Sequence, residues 1–227
     1  MSVAVTVKRD ADEAAEEMAR RLADAARAGG NIVLTGGTTV GDAYEQAAAG
    51  EPDWSRVELW WGDERCVPPE DDKSNFGLAK RTLLERLERQ PAAVHRMRGE
   101  LDPEEAARRY EREVSGVPFD LVLNGLGPDG HTASLFPNAP SLGETERLAL
   151  AVPPGHEPFV ERVTLTISAL ANCFAMIFLA TGEDKADAVK RAFADPPSPE
   201  TPASLVRSAH GETVAVVDEA AASLLRK

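Results

Sequence analysis

Asp120–Pro137 reads DLVLNGLGPDGHTASLFP, and its opening residues decide the kind of fold the chain adopts. Leu121-Val122-Leu123 is an apolar run of β type, which Gly125, Gly127, Pro128 and Gly130 stop and turn into a tight loop. That loop carries Asp129 and His131, followed by Thr132 and Ser134. A buried strand that runs directly into a Gly-rich loop holds reactive groups over a rigid sheet edge.

Other stretches repeat the arrangement. Asn31–Thr35 (NIVLT) precedes Gly36-Gly37-Thr38-Thr39, and Val57–Trp61 (VELWW) precedes Gly62-Asp63-Glu64-Arg65. Cys173–Ala180 (CFAMIFLA) is a continuous apolar run of the kind buried on both faces of a parallel sheet, and it precedes Thr181-Gly182-Glu183-Asp184-Lys185. Helix signals alternate with these strands. Asp10 and Glu13 form a capping box for a helix to Ala28, Asn75 caps Phe76–Arg89, and Asp102-Pro103-Glu104-Glu105 starts a helix to Val114. Further helices are expected over Val40–Ala49 and Glu183–Phe193, and further strands over Val3–Val7, Arg147–Val152, Val163–Ile167 and Thr213–Val217. Asp218 then opens a closing helix. The pattern predicts an α/β three-layer sandwich, a mostly parallel sheet flanked by helices in the Rossmann-like manner. Residues 1–227 are expected to form a single domain, since no linker forces a second.

Composition narrows the functions. A chain of 227 residues with 43% hydrophobic content can build a real core. The net charge of −13 argues against a nucleic acid or an acidic membrane as partner, and obliges any anionic substrate to be met by locally clustered Arg and Lys. Cys66 and Cys173 lie far apart without CxxC spacing, so both read as free thiols, not a zinc site or a disulfide. An apolar leader is missing from the first residues, and the longest apolar run is too short to span a bilayer, so the expected location is cytoplasmic.

The strand-end residues suggest a chemistry. Gly36-Gly37-Thr38 lets backbone N–H groups approach an anion at a helix N-terminus, although a plain strand-to-helix turn explains it equally and it matches no nucleotide fingerprint. Arg65 can fork onto phosphate oxygens with Asp63 or Glu64 fixing it, or form a salt bridge within its own loop. Lys185 stands in the first turn of a helix, where the macrodipole disfavours a cation, unless an anion sits between them or Glu183 and Asp184 neutralise it. Arg162, at the mouth of a strand, is ambiguous in the same way. Together these cations and the Gly loop point to a small phosphorylated substrate. His131 can take a proton from water near neutral pH and return it to a leaving oxygen, with Asp129 orienting it; the alternative is a structural histidine bonding the loop backbone. His95, His156 and His210 lie in segments without other catalytic signals. Nothing like a nucleophile elbow surrounds Ser134, and Asp129 with His131 lacks further ligands for a metal.

Gly62–Phe76 (GDERCVPPEDDKSNF) and Gly125–Pro137 (GLGPDGHTASLFP) closely resemble the two signature segments of the 6-phosphogluconolactonase family. The likeness extends to LTGGTT, RVTLT, GEDKADAV and the closing VDEAAASLL. It implies the sugar-phosphate isomerase type of α/β fold and hydrolysis of 6-phospho-D-glucono-1,5-lactone without a metal or organic cofactor. It also implies that His131 is the general base, Arg65, Arg162 and Lys185 are cations on the phosphate side, and Gly36 and Gly37 form a turn that cradles the substrate. Asp63, Asp129, Thr38 and Gly130 fall with them as site residues. The partner implied is a small sugar-phosphate lactone, and the chain is expected to be a monomer or weak homodimer. One departure is the last strand, TVAVVD, where the family often carries an aromatic. Two other readings stand beside this one. A glucosamine-6-phosphate deaminase would need a glutamate five residues after the histidine, where this chain has Phe136. A non-catalytic sugar-phosphate sensor would normally carry a DNA-binding helical segment.

Overall fold

A computed structural model of the chain describes residues 3–51, 53–155 and 157–225. In chain order the elements begin β1 (Ala4–Lys8), α1 (Ala11–Ala28), β2 (Gly30–Leu34), α2 (Thr38–Gly50), β3 (Val57–Trp61) and β4 (Asp63–Arg65). They continue α3 (Asn75–Thr82), β5 (Ala93–Val94), α4 (Pro103–Val114), β6 (Phe119–Gly125), β7 (Ala149–Val152) and β8 (Arg162–Leu165). The last are α5 (Ile167–Ala171), β9 (Cys173–Ala180), α6 (Ala186–Phe193) and β10 (Glu212–Asp218).

Seven strands form a wholly parallel sheet in the order β1-β10-β9-β6-β2-β3-β5. Alternation along each strand sorts its side chains between two cores. Ile32, Leu34, Leu59, Trp61, Leu121, Leu123, Ile177 and Leu179 face one way and pack with Met18, Leu22 and Tyr44 from α1 and α2. Val33, Trp60, Val122, Met176, Phe178 and Val217 face the other way, onto Tyr110 of α4 and Val189 of α6. Each large side chain buried in this way contributes about 1.5–3 kcal/mol. Helices on both faces of one parallel sheet give the expected three-layer α/β sandwich.

The chain winds outward from the middle in both directions. β2 leads to β3 and β5 on one side, whereas β6 leads to β9 and β10 on the other. The direction therefore reverses between β2 and β6, and a crevice opens at the carboxyl ends of those strands. Buried tyrosines hold the backbone just short of it. Tyr44 Oη accepts from Thr35 N (2.9 Å) and donates to Thr35 O (2.7 Å). Tyr110 Oη does the same for Trp61, accepting from its N at 2.8 Å and donating to its O at 3.0 Å. The ends of β2 and β3 are thus fixed where the loops leave.

Several expectations change. The strands expected over 147–152 and 163–167 leave the main sheet: β7 and β8 pair antiparallel with each other and with β4 in a separate three-stranded sheet. α3 is capped by Ser74, whose hydroxyl accepts from Gly77 N at 2.9 Å, not by Asn75. It also ends at Thr82 instead of Arg89, where Thr82 Oγ1 bonds back to Leu78 O at 2.8 Å and Leu83 leaves helical geometry to enter the core. Lys185 closes a 3-10 turn, Glu183–Lys185, ahead of α6. The closing helix is a series of turns over 219–225, and its last expected residues lie outside those described. Asp218 does cap Ala221 N at 2.7 Å, but both its oxygens are also engaged by Gly182 N, and after one i+4 bond from Ala222 N to Asp218 O the bonds of Ser223 N and Leu225 N close at i+3.

Candidate active site

The loop after β6 closes on itself. Gly130 N donates to Gly127 O (2.9 Å), Gly127 N to His131 O (2.8 Å), and Thr132 Oγ1 to Gly125 O (2.8 Å). Inside it Asp129 Oδ1 accepts twice from His131, from its backbone N at 3.1 Å and from Nδ1 at 2.6 Å. A carboxylate only accepts, so Nδ1 carries the proton and Nε2 is left as the basic nitrogen. Only glycine fits at Gly127, since a Cβ there would stand 2.1 Å from His131 Nδ1 and 2.7 Å from Asp129 Oδ1. The imidazole lies back across the loop because that side chain is missing.

The cations come from a different part of the structure. β4 and β8 pair so that Arg65 and Arg162 stand directly opposite each other. Like charges opposed across a strand pair repel, and here the repulsion acts on Arg162, a residue that is 2% exposed. Burial lowers the pKa of Arg162; Asp63 opposes that shift and Arg65 adds to it. Arg162 Nη2 donates to Glu157 O at 2.8 Å, and its guanidinium lies 5.4 Å over the Phe136 ring. Arg65 Nη1 donates to Lys73 O at 2.6 Å, while its buried Nε has no partner among the described residues.

Beneath the arginines is a buried polar network. Asp63 accepts from Ser134 Oγ at 2.6 Å and from Asn75 Nδ2 at 3.1 Å. Glu64 accepts from Asn75 N, Phe76 N, Arg65 N and Ser74 Oγ at 2.7–3.0 Å, placing a carboxylate at the N-terminus of α3. Burial pushes the Glu64 carboxyl up, and those donors oppose the shift. Asn75 also explains Gly36, where a Cβ would meet Asn75 Oδ1 at 2.0 Å.

One cavity of about 360 Å³ joins both parts. Gly36, Gly37, Thr38, Asp63, Arg65, His131, Arg162 and Lys185 all line it. α2 opens onto it with Gly37 at its cap, no capping side chain and no acidic residue in its first turn, so its leading N–H groups face the cavity. Asp129 and Gly130 do not line it. Asp129 stands behind His131, and Gly130 turns away at φ 94°, with its carbonyl accepting from Ala203 N at 3.0 Å. His156 lies outside the described residues. Among the described residues, no group of three or more His, Cys, Asp or Glu is placed to hold a metal ion.

Residues 6–215 match the family model described as glucosamine-6-phosphate isomerases/6-phosphogluconolactonase. This chain belongs to that family. Among its relatives, a 6-phosphogluconolactonase of Streptomyces coelicolor is 38% identical over 97% of this chain and 94% of its own. The crystal structure of 6-phosphogluconolactonase from Thermotoga maritima is 32% identical, with a TM-score of 0.84 over 96% of this chain and 100% of that one. A monomeric glucosamine-6-phosphate deaminase shares the fold, at 21% identity and a TM-score of 0.86 over 98% of this chain and 100% of that one.

Within this member of the family, sequence reasoning did not foresee the contacts of three residues at the site. Asn75 joins Gly36 to Asp63, yet reads in sequence only as a helix cap. Ser134 reads as a rejected nucleophile and is instead a buried donor to Asp63. Phe136 packs 5.2 Å from the His131 ring and 5.4 Å from the Arg162 guanidinium, so one phenyl ring touches both the imidazole and that cation. The phase of FGLAK against GDER carries no sign of the first contact, and nothing in HTASLF marks the third.

Proposed function

We propose that this chain hydrolyses 6-phospho-D-glucono-1,5-lactone to 6-phospho-D-gluconate, the lactone-opening step of the oxidative pentose phosphate pathway. The observation that carries the reading is the sharing of one cavity by an Asp129-oriented imidazole and by Arg65, Arg162 and Lys185. The cations take the phosphate and fix the ring, which converts attack by water into a positioned event. His131 Nε2 accepts a proton from water as its oxygen bonds to the lactone carbonyl carbon. Asp129 stabilises the imidazolium that forms. The tetrahedral intermediate collapses with cleavage of the bond from that carbon to the ring oxygen, and the imidazolium returns its proton to that oxygen. Carboxylic acid and hydroxyl are the products, and the acid ionises.

The names of the relatives favour the lactonase over the deaminase reading, and Phe136 supports the same choice. Its phenyl ring stands against His131, where a proton relay would need a carboxyl. We read residues 1–227 as one catalytic domain acting in the cytoplasm on a small sugar phosphate, as a monomer or weak homodimer. The two cores on opposite faces of a continuous sheet support the first point. For the location, none of the described helices is long and apolar enough to cross a membrane. The test is lactone opening coupled to 6-phosphogluconate dehydrogenase, in which purified protein should exceed the spontaneous rate by a wide margin. Binding of sugar phosphate with that rate unchanged would favour the sensor, and ammonia from glucosamine 6-phosphate would favour the deaminase.

A further inference from the structure

The loop that holds His131 has a front, facing the cavity, and a back. Behind it stands Arg191 of α6, which is 29% exposed. Its Nε donates to Asp187 Oδ2 at 2.6 Å, an ordinary i,i+4 pair on a helix surface. The rest of the guanidinium has no part in that pair. Nη1 donates to Thr201 Oγ1 at 2.5 Å and reaches the carbonyls of Asp129 at 3.3 Å and Glu200 at 3.4 Å. Nη2 reaches the carbonyl of Pro128 at 3.4 Å. Those two loop carbonyls flank Asp129, the residue whose carboxylate holds Nδ1 of His131.

The neighbouring residue is held from the same side. Gly130 O accepts from Ala203 N, and a Cβ on Gly130 would stand 2.8 Å from Thr201 Cγ2 and 3.2 Å from Arg191 Nη1. The 127–131 loop is therefore seated on Arg191 and the 198–204 segment, while α6 begins directly after Lys185, which lines the cavity. A planar fork with fixed donor directions suits this task, because it bonds a helix side chain, a hydroxyl and two successive loop carbonyls at once.

We propose that Arg191 is a positioning residue for His131, holding the Pro128–Asp129 backbone so that the carboxylate and imidazole stay at bonding distance. The inference rests on His131 acting as the base of lactone hydrolysis. Misplacing a reacting group by about 1 Å can cost up to ~100-fold in rate. Arg191→Ala should therefore lower kcat by about tenfold or more while KM stays within about twofold, because nothing that lines the cavity is removed. Arg191→Lys should fall between that variant and the wild type, since one amine cannot serve both carbonyls and Thr201 together. Added guanidinium ion should restore part of the Arg191→Ala rate. Thermal unfolding and active-site titration are run on each variant. Unchanged kcat in Arg191→Ala, a raised KM with kcat kept, or a loss accounted for by the unfolded fraction would each overturn the inference. If Arg191→Ala does not fold, Arg191→Lys is read by the same split, and full kcat there overturns the fork. A wild type that leaves lactone opening at its spontaneous rate would sink the proposed function itself, whereas an active wild type matched by Arg191→Ala would sink this inference alone.

Discussion

Glu17 on α1 receives Arg20 Nη2 and Arg21 Nε at 2.8 Å each, and Lys8 Nζ stands 3.2 Å away. Across β4 and β8, Arg65 and Arg162 face each other with Lys185 lining the same cavity. The first cluster is surrounded by opposite charge. The second sets Arg65 and Arg162 together, with a buried Nε on Arg65 that finds no partner among the described residues, while Lys185 Nζ stands 3.6 Å from Asp184 Oδ2. Asp63 offsets part of the repulsion, but its oxygens already accept from Ser134 and Asn75. A folded chain tolerates such an imbalance where a ligand completes it, so balanced charge marks stability and unbalanced charge marks the site.

The sharpest way to break this division is to remove the proposed base. His131→Ala should lower kcat by about 10²–10⁴-fold, the usual worth of a positioned acid–base group, and leave the thermal midpoint near wild type. Full activity would remove His131 from the mechanism, and a collapse in stability would put it among the structural residues.

The next test acts on the opposed arginines. Arg162→Ala should raise KM by about 10–100-fold, since a charge-assisted bond to a phosphate is worth about 1.5–3 kcal/mol. Unphosphorylated glucono-1,5-lactone, measured with both proteins, should show little difference. Arg65→Gln should weaken the phosphorylated substrate in the same way while its thermal midpoint holds or rises, because one of two repelling charges has gone. A lower midpoint would mean that the pair stabilises the fold, contrary to the comparison.

A smaller effect should appear without any turnover. Inorganic phosphate should raise the melting temperature of the wild type, with a gain of about 1.4 kcal/mol at ten times its dissociation constant. Arg65→Gln should lose most of that gain at the same phosphate concentration. Equal stabilisation of both proteins would place phosphate elsewhere.

The two clusters were unequally legible in sequence. The strand ends around Gly36, His131 and Lys185 could be read because long apolar runs stop at glycine, and a parallel sheet brings all such ends to one edge. The small antiparallel sheet could not. β4 is three residues long, Asp63–Arg65, and has no apolar run, so its pairing with β8 depends on a contact about a hundred residues away in sequence. The opposition of Arg65 and Arg162 therefore emerged only from the register. Gly130 shows the converse limit. Proximity in sequence to His131 put it in the site, yet its positive φ turns it to the back of the loop. Local patterns find the edge of a parallel sheet, whereas the direction a loop residue faces depends on what packs behind it, here Thr201 and Arg191.

The balanced cluster supplies the last and smallest test. Burial alone would raise the Glu17 carboxyl, but Arg20, Arg21 and Lys8 outweigh it and hold the pKa at about 2, below the ordinary glutamate value of 4.5. A depressed carboxylate contributes stability that is present above the unfolded value and is lost as the pH falls through the folded one. Glu17→Gln should therefore be less stable than the wild type at neutrality by about 1 kcal/mol, a modest figure because Arg20 and Lys8 remain partly solvated. Urea midpoints taken from neutrality downward should show that difference shrinking between pH 4.5 and 2. Lactone hydrolysis should be unaffected throughout the folded range. A constant difference at every pH would mean that Glu17 acts through packing and not charge. A change in KM would mean that the balanced cluster and the cavity are coupled, and the separation between them would fail.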